Sequence, residues 1–106
     1  MIEINLESSE EEKIHRITKA LSTPTRYRIL TILSKDEMDI SQLAQALELT
    51  EANISAQVKH LEKANLLDCR YKPGEHGVRK ICRTKVSTIT ISLADQDSQI
   101  NAIVLD

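Results

Sequence analysis

Asn53, Ser55 and Gln57 alternate with apolar positions on a stretch where Ile54, Val58 and Leu61 recur four and three residues apart. Side chains of this kind donate and accept hydrogen bonds and are short, so a helix face built of them can meet base edges in a groove without filling it. No Arg lies on that stretch, which removes the bidentate reading of guanine from it. Further along, Arg70, Lys72, Arg79, Lys80 and Arg83 flank a cluster of turn residues, Pro73-Gly74-Glu75-His76-Gly77. Cations gathered on two arms of a hairpin are suited to a phosphate backbone. Each group also has a plainer reading: a solvated helix face for the first, and for the second an edge whose charges discourage sheet-to-sheet pairing.

Other reactive side chains give weaker signals. Cys69 and Cys82 fall on opposite arms of the hairpin. A direct register would make their sulfurs neighbours and open a redox role, a one-residue slip would put them on opposite faces, and small buried thiols are the favoured reading. His15, His60 and His76 are scattered, with no i, i+4 pair and no carboxylate spacing that builds a metal cage, so no metal and no cofactor is expected. The only two glycines lie in the hairpin turn, and there is neither a phosphate-cradling loop nor a nucleophile motif. The chain does not read as an enzyme.

These groups need elements to hold them. Glu10, Glu11 and Glu12 open a helix carrying Ile14, Ile17 and Leu21, their charge favoured at its positive end. Thr23-Pro24 restarts the chain as a cap and a first helical residue, giving a second helix to about Ser34 that buries Ile29, Leu30 and Leu33. Met38-Asp39-Ile40 reads as an extended link, and Ser41 as the cap of a short third helix with Leu43, Ala44 and Leu47. Glu48-Leu49 turns the chain, and Thr50 caps a fourth helix over about 51–64. The period then changes from helical to alternating. Residues 66–72 and 78–85 make a hairpin, Thr88 to Leu93 a further strand, and Ile100 to Leu105 a last apolar run.

Composition sets the frame. A chain of 106 residues, 41% hydrophobic and 28% charged, is long enough for one modest domain. No apolar run reaches the length of a membrane span and the start is acidic, so a cytoplasmic protein with reduced thiols is expected. Trp and Phe are absent, leaving an aliphatic core. The net charge of −2 hides a pattern, because residues 50–85 hold eight cations against four acids while both ends are acidic. A basic block between acidic ends is the footprint of one face meeting a polyanion.

Helix, helix, short helix, tight turn, longer helix and basic hairpin is the order of a winged helix-turn-helix, an α+β fold that is mostly helical, with a β-hairpin wing. Two stretches carry a family resemblance. Residues 21–33, LSTPTRYRILTIL, resemble the second helix of arsenic-repressor-type (ArsR-type) regulators, and residues 40–67, ISQLAQALELTEANISAQVKHLEKANLL, are similar to the helix-turn-helix those regulators share. The likeness covers about residues 14–84. It departs from the family twice: Asp39 to Leu47 holds no Cys and no His where metal-sensing members carry a cysteine pair, and the last segment reads as strands where those members have a terminal helix.

The resemblance implies a dimeric transcription regulator, expected to be a repressor, that binds double-stranded DNA at a roughly palindromic operator. Its fourth helix would lie in the major groove, with Thr50, Ala52, Asn53, Ser55, Ala56, Gln57 and Lys59 near DNA and Ser55 and Gln57 first among the base readers. Arg70, Lys72, Arg79 and Lys80 would run along phosphates. Residues 1–85 form the DNA-binding domain in this reading, and 86–106 an extended segment for dimerisation or the start of a further domain. A homodimer is expected because one reading helix contacts too few base pairs for tight specific binding. Ile2, Ile4, Leu6, Ile14, Ile17, Ile89, Ile91, Ile100, Ile103 and Leu105 supply its apolar surface. The competing class is a winged-helix adaptor that binds protein and no DNA.

Overall fold

The computed structural model describes residues 1–94. In chain order its elements are β1 (Ile2–Leu6), α1 (Glu11–Ala20), α2 (Pro24–Leu33), β2 (Met38–Asp39), α3 (Ile40–Leu47), α4 (Glu51–Lys63), β3 (Leu67–Gly74), β4 (Gly77–Thr84) and β5 (Val86–Ile91). The α+β winged helix-turn-helix expected from the sequence is the fold observed. Each predicted helix is present within one residue at either end. The apolar run at 100–105 lies outside the described residues.

Three caps start the helices that matter most. The Thr23 hydroxyl oxygen accepts from the amide of Arg26, and that of Thr50 accepts from the amide of Asn53. At α3 the expected cap is corrected, because Ser41 lies inside the helix and Asp39 starts it. Asp39 Oδ1 accepts from the Gln42 amide at 2.7 Å while Gln42 Oε1 accepts from the Asp39 amide at 2.9 Å, a reciprocal pair that satisfies two otherwise orphaned donors. Asp39 also belongs to β2, so the supposed link at 38–40 is a short strand that runs directly into a helix.

Between α3 and α4 the chain turns at Glu48, whose φ of 56° places it in the left-handed region and lets the Leu49 amide reach the Ala44 carbonyl. That turn sets α4 across α3. Ile54, Val58 and Leu61 are fully buried, together with Leu43, Ile29 and Leu66. One aliphatic cluster joins all four helices to the base of the hairpin and to Leu6 and Val86 of the terminal strands. Burying such side chains is the main stabilising term in a domain of this size.

The wing is longer than its turn residues imply. The sheet order is β2-β4-β3, and β3 pairs with β4 out to Gly74 opposite Gly77. Only Glu75 and His76 are left in the loop, a correction to the five-residue turn read from Pro73 to Gly77. Pro73 is tolerated within a strand because β3 is an edge, where a missing ladder donor costs little. At the other end the strand begins at Leu67 rather than Leu66, since Asn65, at φ 62°, closes α4 and lets the Leu66 amide bond the Leu61 carbonyl. Gly77 has φ +112° with open space where a Cβ would stand. We expect Gly77→Ala to cost about 1–2 kcal/mol through backbone strain alone, read as a lower urea midpoint.

β1 and β5 form a separate parallel pair, with Ile4 opposite Ile89 and Leu6 opposite Ile91. Two segments expected to await a partner therefore cover each other in part. Leu6 is buried, Ile4, Ile89 and Ile91 are partly buried, and Ile2 and Leu93 stay exposed. On α1, Ile17 is buried and Ile14 packs against the core from its edge. Among the described residues no helix is long and apolar enough to cross a membrane.

Candidate nucleic-acid interface

The fourth helix buries Ile54, Val58 and Leu61 against the domain, which turns Ala52, Ala56, Lys59, His60 and Lys63 outward. Asn53, Ser55 and Gln57 lie between these two faces and are half-buried. Thr50 uses one lone pair of its hydroxyl on the helix cap, and its hydroxyl hydrogen stays available to a phosphate oxygen. The outward face passes from the alanines at 52 and 56 to Lys59, His60 and Lys63 toward the helix C-terminus.

Gln57 is less free than its sequence position implies. Its Oε1 accepts from Arg26 Nη1 at 2.8 Å, and its Nε2 donates to Asn53 Oδ1 at 3.1 Å. Arg26 in turn donates to the carbonyls of Ala20 and Lys19, so one guanidinium ties the α1–α2 turn to the middle of α4. One N–H of the Gln57 amide is left to donate outward. Arg26 is a residue the sequence reading missed. Nothing in its spacing marks it, because its partner is 31 positions away.

The wing cations show a similar economy. Arg70 holds Glu37 with two bonds of 2.8 and 2.7 Å, Arg79 Nε meets Asp39 Oδ2 at 2.7 Å, Lys80 Nζ meets Glu62 Oε1 at 2.7 Å, and Arg83 approaches Asp68 at 3.4 Å. Of the hairpin cations singled out from sequence, Lys72 alone makes no hydrogen bond or ion pair among the described residues. The sequence alone does not show that four of these cations have carboxylate partners. Each paired cation is neutralised by a carboxylate from β2, α4, β3 or the turn before β2, and those partners lie too far along the chain to be read from spacing.

The pairing also moves the titrations. Hydrogen bonds from Arg70, which outweigh a small burial cost, hold the Glu37 carboxyl below its ordinary value, and Glu37 raises Arg70 in return. Burial pushes Asp39 up, but bonds from the Gln42 amide and Arg79 outweigh it and the net direction is down. For Lys80, burial disfavours the charge, yet the bond and charge of Glu62 prevail and raise it. All four groups are thus held charged near neutral pH.

The geometry places an outward helix face next to a hairpin joined to it by Lys80 and Glu62, with Lys59 and Lys72 as exposed cations. Residues 23–68 match the bacterial regulatory protein, arsR family. The chain is also 40% identical over 53 residues, half of its length, to an HTH-type transcriptional regulator of Methanocaldococcus jannaschii, and the match spans 56% of that relative's length. Among solved structures, the homodimeric winged helix-turn-helix DNA-binding domain of a possible ArsR-family regulator from Mycobacterium bovis aligns with a TM-score of 0.62 at 25% identity, over 72% of this chain and 67% of that one. NolR from Sinorhizobium fredii aligns at 0.64 over 74% and 75%, and its 24% identity speaks for the fold alone.

Proposed function

We propose that the chain, a winged helix-turn-helix whose residues 23–68 match the arsR family of bacterial regulatory proteins, binds double-stranded DNA site-specifically as a homodimer and represses transcription at a roughly palindromic operator. One observation carries the reading. The face of α4 turned away from the core is made of Ala52, Ala56, Lys59, His60 and Lys63, flanked by Asn53, Ser55 and Gln57, and its N-terminal half is small enough to enter a major groove. In this reading Thr50 and Lys59 hold phosphates on either side of Ala52 and Ala56, and these two offer methyls to thymine. Asn53, Ser55 and the free N–H of Gln57 meet base edges. Lys72 is the principal phosphate contact of the wing, while Arg70, Arg79 and Lys80 add field more than contacts.

Residues 1–85 serve as the DNA-binding domain and 86–106 as part of the dimer contact. The homodimeric relative from Mycobacterium bovis supports two copies, and so do the exposed apolar side chains Ile2 on β1 and Leu93 just beyond β5. These side chains lie outside the hairpin, so two wings remain free to straddle a duplex. The test is salt-dependent binding to duplex DNA together with sedimentation. Binding that weakens steeply with salt, by a species of dimer mass, is the expected result. A protein with no salt-dependent affinity for any duplex would be an adaptor, and a monomer with and without DNA would defeat the dimer.

Gln57→Ala is expected to cost about 1–3 kcal/mol on the operator and less on random duplex. Because Gln57 also anchors Arg26, Arg26→Ala provides the comparison. Operator discrimination kept in Arg26→Ala and lost in Gln57→Ala identifies base reading, whereas equal loss in both identifies a positioning role for Gln57. Fluorescence anisotropy on the two DNAs measures it.

A further inference from the structure

Cys69 and Cys82 are directly opposite one another in the β3–β4 ladder, and their Sγ atoms are 2.7 Å apart. On the face of the hairpin turned toward α4 they form the rung between a buried pair, Leu67 and Thr84, and the pair Tyr71 and Lys80, of which Tyr71 is 70% exposed. Cys82 is fully buried and Cys69 is half-buried, so Cys69 is the more accessible of the two. On its far side Cys82 is backed by Met38 of β2, which prevents the strand from moving away. Opposed Cα atoms in an antiparallel ladder lie within the span a disulfide bridges.

We propose that this pair is a modification site: a dithiol that a small disulfide oxidises to an intramolecular disulfide within the wing. Cys69 gives up its proton, and its thiolate attacks one sulfur of the small disulfide; the other small sulfur departs as a thiolate and takes up a proton. Cys82 then gives up its proton and attacks Cys69 Sγ across the existing contact. The Cys69–Cys82 bond forms, the mixed disulfide breaks, and a second small thiol leaves. Two cysteine thiols have been oxidised and one small disulfide reduced to two thiols.

Accessibility sets this order, and the contact between the two sulfurs supplies the thiolate. The bond donated by Cys69, and after it the ammonium of Lys80, outweigh burial and hold Cys82 below the ordinary thiol value, while Cys69 is pushed up. The first proton therefore leaves Cys82, and Cys69 becomes the attacking thiolate by passing its own proton to Cys82 across the 2.7 Å contact; as the more accessible residue, Cys69 is the one that meets the oxidant. Attack by Cys82 needs no approach from outside. The site rests on the wing alone and stands whether or not the chain binds DNA.

The test uses the whole chain in glutathione redox buffers, with intact mass and free-thiol counts as readouts. The expected product is a single chain lighter by two hydrogens, with no glutathione attached and no covalent dimer. Cys69→Ser should lose its remaining thiol at least about tenfold more slowly than the native chain loses its pair, since the buried Cys82 has no exposed relay. Cys82→Ser should accumulate the glutathione adduct at Cys69. Should that variant fail to fold, the native mass and the Cys69→Ser rate still decide. A native chain that stays reduced in excess oxidised glutathione, or stops at the mixed disulfide, overturns the proposal.

Discussion

Asp39→Ala should lower the unfolding free energy by about 2–3 kcal/mol, while Asp39→Asn should recover roughly half of that loss. Asp39 does two jobs with two oxygens: Oδ1 caps α3 through the Gln42 amide, and Oδ2 binds Arg79 on the wing. Alanine removes both. Asparagine keeps an oxygen for the cap and gives up the charge, so the difference between the two variants isolates the cap. The contribution from Arg79 is discounted, because that side chain is 39% exposed and screened by water. Urea denaturation at neutral pH measures all three proteins. The folded Asp39 carboxyl titrates below its ordinary value of 3.8. Its stabilising effect is therefore complete above about pH 4 and disappears as pH falls through the lower folded value. The gap between the native chain and Asp39→Asn should close on acidification, and a gap that widened would mean the carboxylate is not the stabilising form.

Asp39 also marks where the sequence was legible and where it was not. Thr23 and Thr50 stand immediately before helical patterns and were read as caps on that ground. Asp39 followed by Gln42 three positions on is the same kind of signal, a capping box, but Met38-Asp39-Ile40 is too short to read as more than an extended link, and Ser41 competes as the cap. The buried stripe of α4 was legible because a helix against a core repeats every three or four residues. What escaped reading depends on long separations. Arg70 and Glu37 are 33 residues apart, Arg79 and Asp39 are 40 apart, and Arg26 and Gln57 are 31 apart. A list of cations shows a basic hairpin, and only the folded chain shows which of those cations are already spent.

The parallel pairing of β1 with β5 is illegible for a related reason. Alternating Ile2, Ile4, Leu6 and alternating Ile89, Ile91 each show an amphipathic strand, and nothing local says that strands at the two ends meet. The Cys69–Cys82 rung was an intermediate case. Counting back from the turn left two registers open, and the two-residue loop at Glu75-His76 selects the one in which the cysteines face each other.

If Lys59 and Lys72 are the free cations of the interface, the double variant Lys59→Ala/Lys72→Ala should bind operator and random duplex on the order of 100-fold more weakly at moderate salt. The slope of log affinity against log salt should fall by about four for a dimer, since each protomer loses two phosphate contacts and each contact releases nearly one counterion. Arg70→Ala is the control that separates contact from field. It removes the same unit of charge from the same strand, but the guanidinium it removes is already bound to Glu37. To reach a phosphate, Arg70 would first have to leave that carboxylate, so little counterion release is expected from it. Its removal should lower affinity by about two- to threefold through the weakened field and leave the salt slope nearly unchanged. Lys72→Ala alone should reduce the slope by about two for the dimer. Anisotropy titrations over a range of salt concentrations give both quantities for each variant. Equal slopes for Arg70→Ala and Lys72→Ala would mean that the carboxylates release their partners on meeting DNA, and the distinction between spent and free cations on the wing would fall.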